Sequence, residues 1–78
     1  MNNNEFNLYE AIAANIKKYR KAANITQAEL SERVGLSHEF IRRIESQKGA
    51  KTFSVDTLYK ISLALNISIK ELFDFENK

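Results

Sequence analysis

Five polar side chains lie within one short stretch of this chain, at Ser37, His38, Glu39, Arg42 and Arg43. These side chains carry a hydroxyl, an imidazole, a carboxylate and two guanidinium groups. Groups of these types bind base edges and phosphates of duplex DNA, and Arg, for example, donates two hydrogen bonds to guanine. The chain has no Cys, a single His and no glycine-rich phosphate loop, so it offers no nucleophile–base pair and catalysis is not expected.

Two short helical patterns position these side chains. Thr26 with Glu29 three residues later predicts a capping box that begins the first helix. Gly35 predicts its end, because a residue without Cβ enters the left-handed conformation at little cost. Ser37 predicts the N-cap of a second helix with an apolar inner side and a polar outer side. A helix, a tight turn with Gly and a second helix form the helix-turn-helix pattern.

The segment TQAELSERVGLS, followed by IRRIE, resembles the DNA-binding domain of Cro and C1 repressor-type proteins, the XRE family. The resemblance covers roughly residues 8–73. It implies an all-α, five-helix, lambda-repressor-like fold with a central helix-turn-helix, and operator binding as a homodimer. It also implies that Arg20 and Glu45 pair in a partly buried, structural salt bridge.

Base reading is expected from the first turn of the second helix and from one residue beyond it. In a helix-turn-helix protein these positions meet base edges in the major groove, which favours Ser37, His38, Glu39 and Arg43. Arg43 is the strongest candidate, since guanine binding by Arg is the commonest specific contact. The helix dipole alone would also explain an acid at Glu39, and His38 could be an ordinary surface residue.

Phosphate contacts are expected around the same motif. Gln27 is the first residue inside the first helix, where its amide can bind an anion beside the helix N-terminus. Basic and hydroxyl side chains nearby extend this prediction to Arg42, Lys48, Lys51, Thr52 and Lys17. The alternative is that these residues only form a solvated basic face.

Apolar side chains near the C-terminus exceed what one short helix needs. The resemblance places a two-fold interface at this end, so Ile69, Phe73 and Phe75 are predicted to form a dimer contact. The alternative is that they close the core of the monomer.

The other helices have similar start and stop signals. Asn7 predicts the beginning of the first helix, and Asn24 predicts a left-handed turn after it. The predicted buried stripe of that helix is Leu8, Ile12, Ile16, Tyr19 and Ala23. Ser54 caps a fourth helix whose predicted inner stripe is Val55, Leu58, Ile61 and Leu65, and Asn66 ends it. Ser68 and Glu71 predict a capping box for a fifth helix.

Length and composition fit one domain over residues 1–78, with a core at about 8–73 and disordered ends at 1–5 and 76–78. Without Cys, disulfides and thiolate metal sites are excluded. No apolar run approaches a membrane span and no signal peptide is apparent, so a cytoplasmic location is expected. The protein would be encoded by a bacterium or a phage and associated with the nucleoid through DNA binding. No cofactor, metal, membrane or small-molecule substrate is predicted.

The sequence therefore predicts a regulator that binds specific double-stranded DNA, such as a phage-type repressor, a restriction–modification controller or an antitoxin. An alternative of another class is a protein–protein interaction module on the same scaffold. Glu39 and the net charge of only +2 support that alternative, because an acid in the groove repels phosphates and a weakly basic protein attracts DNA weakly.

Overall fold

The fold is entirely helical in the part of the chain that the computed structural model describes, residues 7–46 and 53–75. Its elements are α1 (Leu8–Ala22), α2 (Gln27–Val34), α3 (His38–Glu45), α4 (Val55–Leu65) and a 3₁₀ helix (Ile69–Phe73). The segment predicted to form a fifth helix is thus a 3₁₀ helix, while the other four are α-helices. The predicted phosphate contacts Lys48, Lys51 and Thr52, and the ends 1–5 and 76–78, lie outside the described residues.

Each α-helix begins at the polar residue predicted to cap it. The side chains of Asn7, Ser37 and Ser54 each accept a hydrogen bond from the backbone N–H three residues later. At Thr26 the capping box is complete: Thr26 Oγ1 accepts from the Glu29 N–H at 3.0 Å, and Glu29 Oε1 accepts from the Thr26 N–H at 2.8 Å. These contacts satisfy backbone donors that have no partner inside the helix.

Three left-handed residues end or separate the helices in the described part of the chain. Gly35 has φ 85° at the end of α2, as predicted, while Asn24 and Asn66 have φ 63° and 60°. Asn tolerates this region because its short side chain can bind the local backbone. The turn between α2 and α3 therefore depends on Gly35, and the turns after α1 and α4 depend on the two asparagines.

The core lies where all the helices meet and is made of aliphatic side chains: Ile12, Ile16, Ile25, Leu30, Ile41, Ile44, Leu58, Ile61, Leu65 and Leu72. Three residues predicted to be inside are outside, and one of them is Ala23, the exposed residue that follows the last turn of α1. Leu8 is 42% exposed and Val55 is 70% exposed. Leu8 is the first residue of α1. A rotation of 100° per residue puts Val55 beside Tyr59, at the edge of the arc that buries Leu58 and Ile61.

The capping box predicted for the fifth helix is wrong. Ser68 Oγ accepts from the Lys70 N–H at 3.3 Å, and the Glu71 N–H donates to the Ser68 carbonyl at 2.9 Å, which is 3₁₀ spacing. The Glu71 carboxylate instead accepts from the Tyr19 hydroxyl at 3.0 Å. Asn15 of α1 adds a bond from Nδ2 to the Leu72 carbonyl at 2.9 Å. Polar side chains of α1 therefore hold this segment.

Helices α3 and α4 both pack against α2 and α1. α3 packs mainly against α2 and α1, whereas α4 packs mainly against α2, α1 and the 3₁₀ helix. This arrangement leaves one side of α3 and one side of α4 without a covering element among the described residues. The side of α3 is polar and that of α4 is apolar, so the two surfaces suit different partners.

Candidate nucleic-acid interface

Helix α3 is anchored to the body of the protein along one side. Ile41 and Ile44 are 0% and 3% exposed, and Glu45, at the last position of the helix, is 4% exposed. The two isoleucines lie three residues apart and therefore share a face of the helix. A helix held in this way presents its opposite face to solvent in a fixed orientation.

The buried carboxylate of Glu45 pairs with Arg20 of α1 in a two-pronged ion pair. Arg20 Nε donates to Glu45 Oε2 at 2.7 Å, and Arg20 Nη2 donates to Glu45 Oε1 at 3.0 Å. The remaining nitrogen, Nη1, donates to the Ile25 carbonyl at 2.8 Å. Since Arg20 is only 8% exposed, both charges lie away from water and depend on one another.

Gln27 of α2 also binds the Arg20–Glu45 pair, and this contact makes a junction of three helices. Its Nε2 donates to Glu45 Oε1 at 3.0 Å, so a single carboxylate joins α1, α2 and α3. An amide NH₂ has two hydrogens, and one is left to donate elsewhere. Gln27 is half-buried at the first position of α2. The geometry therefore fits both packing against α3 and donation to an anion beside the helix N-terminus.

All five polar residues of the motif are on the exposed side. Ser37, His38, Glu39, Arg42 and Arg43 are exposed, and Ser37 Oγ also accepts from the Phe40 N–H at 3.0 Å. Arg43 has no side-chain partner within residues 7–46 and 53–75. No residue of those ranges therefore competes for its five N–H donors.

Glu39 and Arg42 bind each other, an interaction that the separate roles predicted for them do not include. Arg42 Nη2 lies 2.6 Å from Glu39 Oε2, and Arg42 Nε lies 3.3 Å from Glu39 Oε1. Both side chains are 58% exposed. An exposed pair of this kind contributes about 1 kcal/mol or less, so a phosphate or a base can displace either partner.

An open cleft of about 550 Å³ lies where α2 begins. It is bordered by residues from the end of α1 and from the beginnings of α2 and α3: Arg20, Lys21, Asn24, Ile25, Thr26, Gln27, Ala28 and His38. The cleft brings the predicted Gln27 and His38 together. It is also bordered by a cation, Lys21, and an amide, Asn24, which are not among the residues predicted for the site.

The sequence contained a signal for Lys21. Lys17 and Lys21 are four residues apart, so both lie on one face of α1. Lys17 is exposed one turn before the cleft and does not border it. The predicted phosphate contact on α1 thus has a neighbour that is better placed to reach an anion at the beginning of α2.

Of the residues predicted to form a dimer contact, Ile69 and Phe75 are half-buried and pack against the core. Phe73 is 39% exposed, and its ring centre lies 6.3 Å from that of Phe75 in an edge-to-face arrangement. Phe73 is therefore the member of this set that offers an open apolar surface.

Metal-binding groups and membrane-spanning helices are both absent from the described residues. No group of three or more His, Cys, Asp or Glu side chains in residues 7–46 and 53–75 could hold a metal ion. No helix in those same ranges is long and apolar enough to cross a membrane.

Comparisons with known proteins agree with the motif. The helix-turn-helix family model matches residues 16–72. The transcriptional repressor RstR of a cryptic CTXphi phage in Vibrio cholerae is 39% identical over 61 residues, which are 78% of this chain and 53% of RstR. The control protein C.SmaI of Serratia marcescens is 35% identical over 63 residues, 81% of this chain and 73% of C.SmaI.

A solved structure shows the same arrangement of helices. The master regulator for biofilm formation SinR, crystallised in complex with DNA, superposes with a TM-score of 0.73 at 32% identity. The match covers 81% of this chain and 98% of the SinR chain.

Proposed function

The chain belongs to the helix-turn-helix family of Cro/C1-type DNA-binding transcription regulators, and we propose that it binds a specific palindromic operator as a homodimer. Its relatives include a phage repressor and a control protein. These similarities support repression by a phage-type repressor, or control of a restriction–modification locus, as the biological setting.

The observation that carries this proposal is the two-sided character of α3. Its inner side is fixed by Ile41, Ile44 and the Glu45 ion pair, while its outer side is polar and open. Such a helix can enter a major groove without rearrangement of the body. We assign base reading to this outer side, with Arg43 donating to guanine because no described residue competes for its guanidinium.

The remaining base-reading roles fall to the first turn of α3. Ser37 and His38 stand where the helix would meet base edges, and Glu39 would accept from cytosine N4 when it releases Arg42. Arg42, once released, would reach a backbone phosphate.

The cleft at the beginning of α2 is the proposed phosphate site. Backbone N–H groups at a helix N-terminus attract anions. Gln27 has a second amide N–H left to donate there, and Lys21 borders the same cleft. We also propose Lys17, and the undescribed Lys48, Lys51 and Thr52, as contacts along the backbone. Such contacts carry no sequence information but supply much of the affinity, which should therefore fall steeply with salt.

A dimer explains how so small a recognition surface would select one site. Two copies related by a two-fold axis would place their α3 helices about 34 Å apart, one turn of the duplex, on the same face. Each half-site then contributes its own binding free energy. The operator must be a palindrome, because its symmetry matches the two-fold symmetry of the protein.

Selection of duplexes from a random pool tests the proposal, followed by titration of the selected and a scrambled duplex at low and moderate salt. We expect one enriched palindrome, a clear preference for it over the scrambled duplex, and weaker binding to both at the higher salt. Arg43→Ala should reduce the preference. Lys70→Ala is the matched control, since it removes a cation from the exposed surface of the 3₁₀ helix, away from α3. A pool that yields no enriched sequence would favour a protein–protein module instead.

A further inference from the structure

The outer side of α3 carries a single carboxylate, Glu39, among cationic and neutral polar groups. Glu45, the other acid of this helix, is buried and paired with Arg20. A carboxylate that enters a groove is repelled by the phosphates of the duplex. It also needs a hydrogen-bond donor once water is removed from it. Glu39 therefore requires a partner both in the free protein and on DNA.

In the free protein that partner is Arg42. Its Nη2 donates to Glu39 Oε2 at 2.6 Å, and its Nε lies 3.3 Å from Glu39 Oε1. Side chains on a helix lean toward its N-terminus, so the Arg42 guanidinium reaches back to the first turn of α3. An Arg that binds a carboxylate with two donors cannot bind a phosphate with the same two.

Arg43, the next residue, provides the comparison on the same helix. It has no side-chain partner within residues 7–46 and 53–75, so it breaks no such contact when it meets DNA. Arg42 must leave Glu39 first, and Glu39 then needs another donor. On a duplex without a base donor at that place, either Glu39 loses its donor or a phosphate loses Arg42. Where a cytosine stands there, its N4 amino group donates to Glu39 and Arg42 is released.

We propose that the Glu39–Arg42 pair couples base identity to a phosphate contact, so that Arg42 binds the DNA backbone only where Glu39 binds a cytosine. This inference rests on the proposed function, which gives the two residues separate contacts, and adds that these contacts are made together. Glu39 thus acts mainly against wrong duplexes, because it keeps a cation away from them. The exposed pair is weak, so it opens readily once a cytosine is in place.

Titration at several salt concentrations measures the coupling, because each phosphate contact adds about 0.9 to the slope of log affinity against log salt. The ligands are the duplex selected from the random pool and a scrambled duplex of the same composition. Glu39→Gln keeps an acceptor for cytosine but removes the charge that holds Arg42. For each bound copy it should steepen the slope on the scrambled duplex by about 0.9 and tighten that binding severalfold. The slope on the selected duplex should stay unchanged.

Two further variants separate the coupling from net charge. Glu32→Gln is the matched control, since it removes the same charge from an exposed position on α2, and it should change both slopes equally. Arg42→Gln should lower the slope by about 0.9 on the selected duplex and leave it unchanged on the scrambled one. Equal falls on the two duplexes would show that Arg42 contacts phosphate on any sequence and would overturn the proposal.

Single base-pair substitutions locate the coupling within the operator. Replacing the cytosine bound by Glu39 should reduce wild-type affinity by about fivefold or more and also lower the salt slope by about 0.9. In Glu39→Gln the same substitution should no longer change the slope. Replacing the guanine bound by Arg43 should reduce affinity without changing the slope. If no substitution lowers the slope of the wild-type protein, the two contacts are independent and the coupling is refuted.

Failure of the coupling can be told apart from failure of the DNA-binding proposal. A protein that enriches no duplex and binds all sequences alike would refute both. A protein that clearly prefers its selected duplex, but whose two salt slopes respond equally to Glu39→Gln, would keep the proposed function and refute the coupling alone.

Discussion

Replacing Glu45 by Ala should destabilise the protein more than almost any other single change on α3. The Glu45 carboxylate accepts three hydrogen bonds, from Arg20 Nε, Arg20 Nη2 and Gln27 Nε2. Its side chain is only 2% exposed and that of Arg20 only 9%. Glu45→Ala would therefore leave a guanidinium charge without its counter-ion in a place that water hardly reaches.

Removal of one partner from a buried ion pair costs about 3–5 kcal/mol. Proteins gain roughly 0.05–0.15 kcal/mol of stability per residue, so a chain of 78 residues has about 4–12 kcal/mol in total. The variant would thus lose a quarter or more of its stability. In a domain of this size each kcal/mol shifts the Tm by roughly 4–8 °C, so the expected fall is at least about 12 °C.

Urea and thermal unfolding, followed by circular dichroism at the helix band, measure this difference. Glu39→Ala is the matched control: the same substitution on the same helix, but in an ion pair whose side chains are both 58% exposed. It should cost about 1 kcal/mol or less. The double variant Arg20→Met, Glu45→Leu should recover part of the loss, because no buried charge remains. Recovery will be incomplete, since the Ile25 carbonyl also loses its donor.

Equal costs for Glu45→Ala and Glu39→Ala would refute this reasoning. That result would mean that water reaches the Arg20 guanidinium in solution and that the junction of α1, α2 and α3 is not closed.

Three further predictions concern the DNA contacts and the turn. Arg43→Ala should cost about 1–3 kcal/mol of discrimination at one base pair, measured by competition between duplexes that differ at single positions; an unchanged preference at every position would contradict the role of Arg43. Lys51→Ala should weaken binding to all sequences alike and lower the slope of log affinity against log salt by about 1, and a selective loss for one sequence would argue against a phosphate contact. Gly35→Ala should lower the free energy of unfolding in urea by about 1–2 kcal/mol, because φ at Gly35 is 85° and a Cβ disfavours that conformation. Nothing lies within 4 Å of the added Cβ, so backbone strain alone should set this cost. A larger loss would contradict that reasoning and indicate a steric clash.

Local signals in the sequence predicted the helices well. Thr26, Ser37 and Ser54 each begin an α-helix through the hydrogen bond expected of their side chains, and Gly35 ends α2 in the left-handed conformation. These features depend on residues three or four positions apart. The physical chemistry of capping is therefore visible in the sequence without knowledge of the fold.

Features set by distant contacts were harder to predict. Glu71 was expected to cap a helix at Ser68, but its carboxylate accepts from Tyr19, 52 positions earlier in the chain. Val55 has the residue type of a core position yet is 70% exposed. Helical spacing places Val55 only at the edge of the buried arc, and nothing in the residues near Glu71 shows which helix will pack there. Tertiary packing decided both outcomes.

The site divides in the same way. The list of polar residues on α3 followed from the spacing of Ser37 to Arg43, because one face of a helix can be read from sequence. The cleft could not be read in this way. Lys21 and His38 border the same cleft because α1, α2 and α3 pack together through the core and the shared Glu45 carboxylate.

The buried junction and the open face of α3 depend on each other. Glu45 lies two residues after Arg43, so the contact that fixes the end of α3 also limits where the Arg43 guanidinium can reach. A base contact of about 1–3 kcal/mol discriminates between bases only if the side chain is correctly positioned against the base edge. In a loosely held helix, part of that interaction energy would offset the entropy cost of ordering the helix. Variants of Glu45 that remain folded should therefore lose sequence preference although Glu45 itself is turned away from the proposed DNA surface.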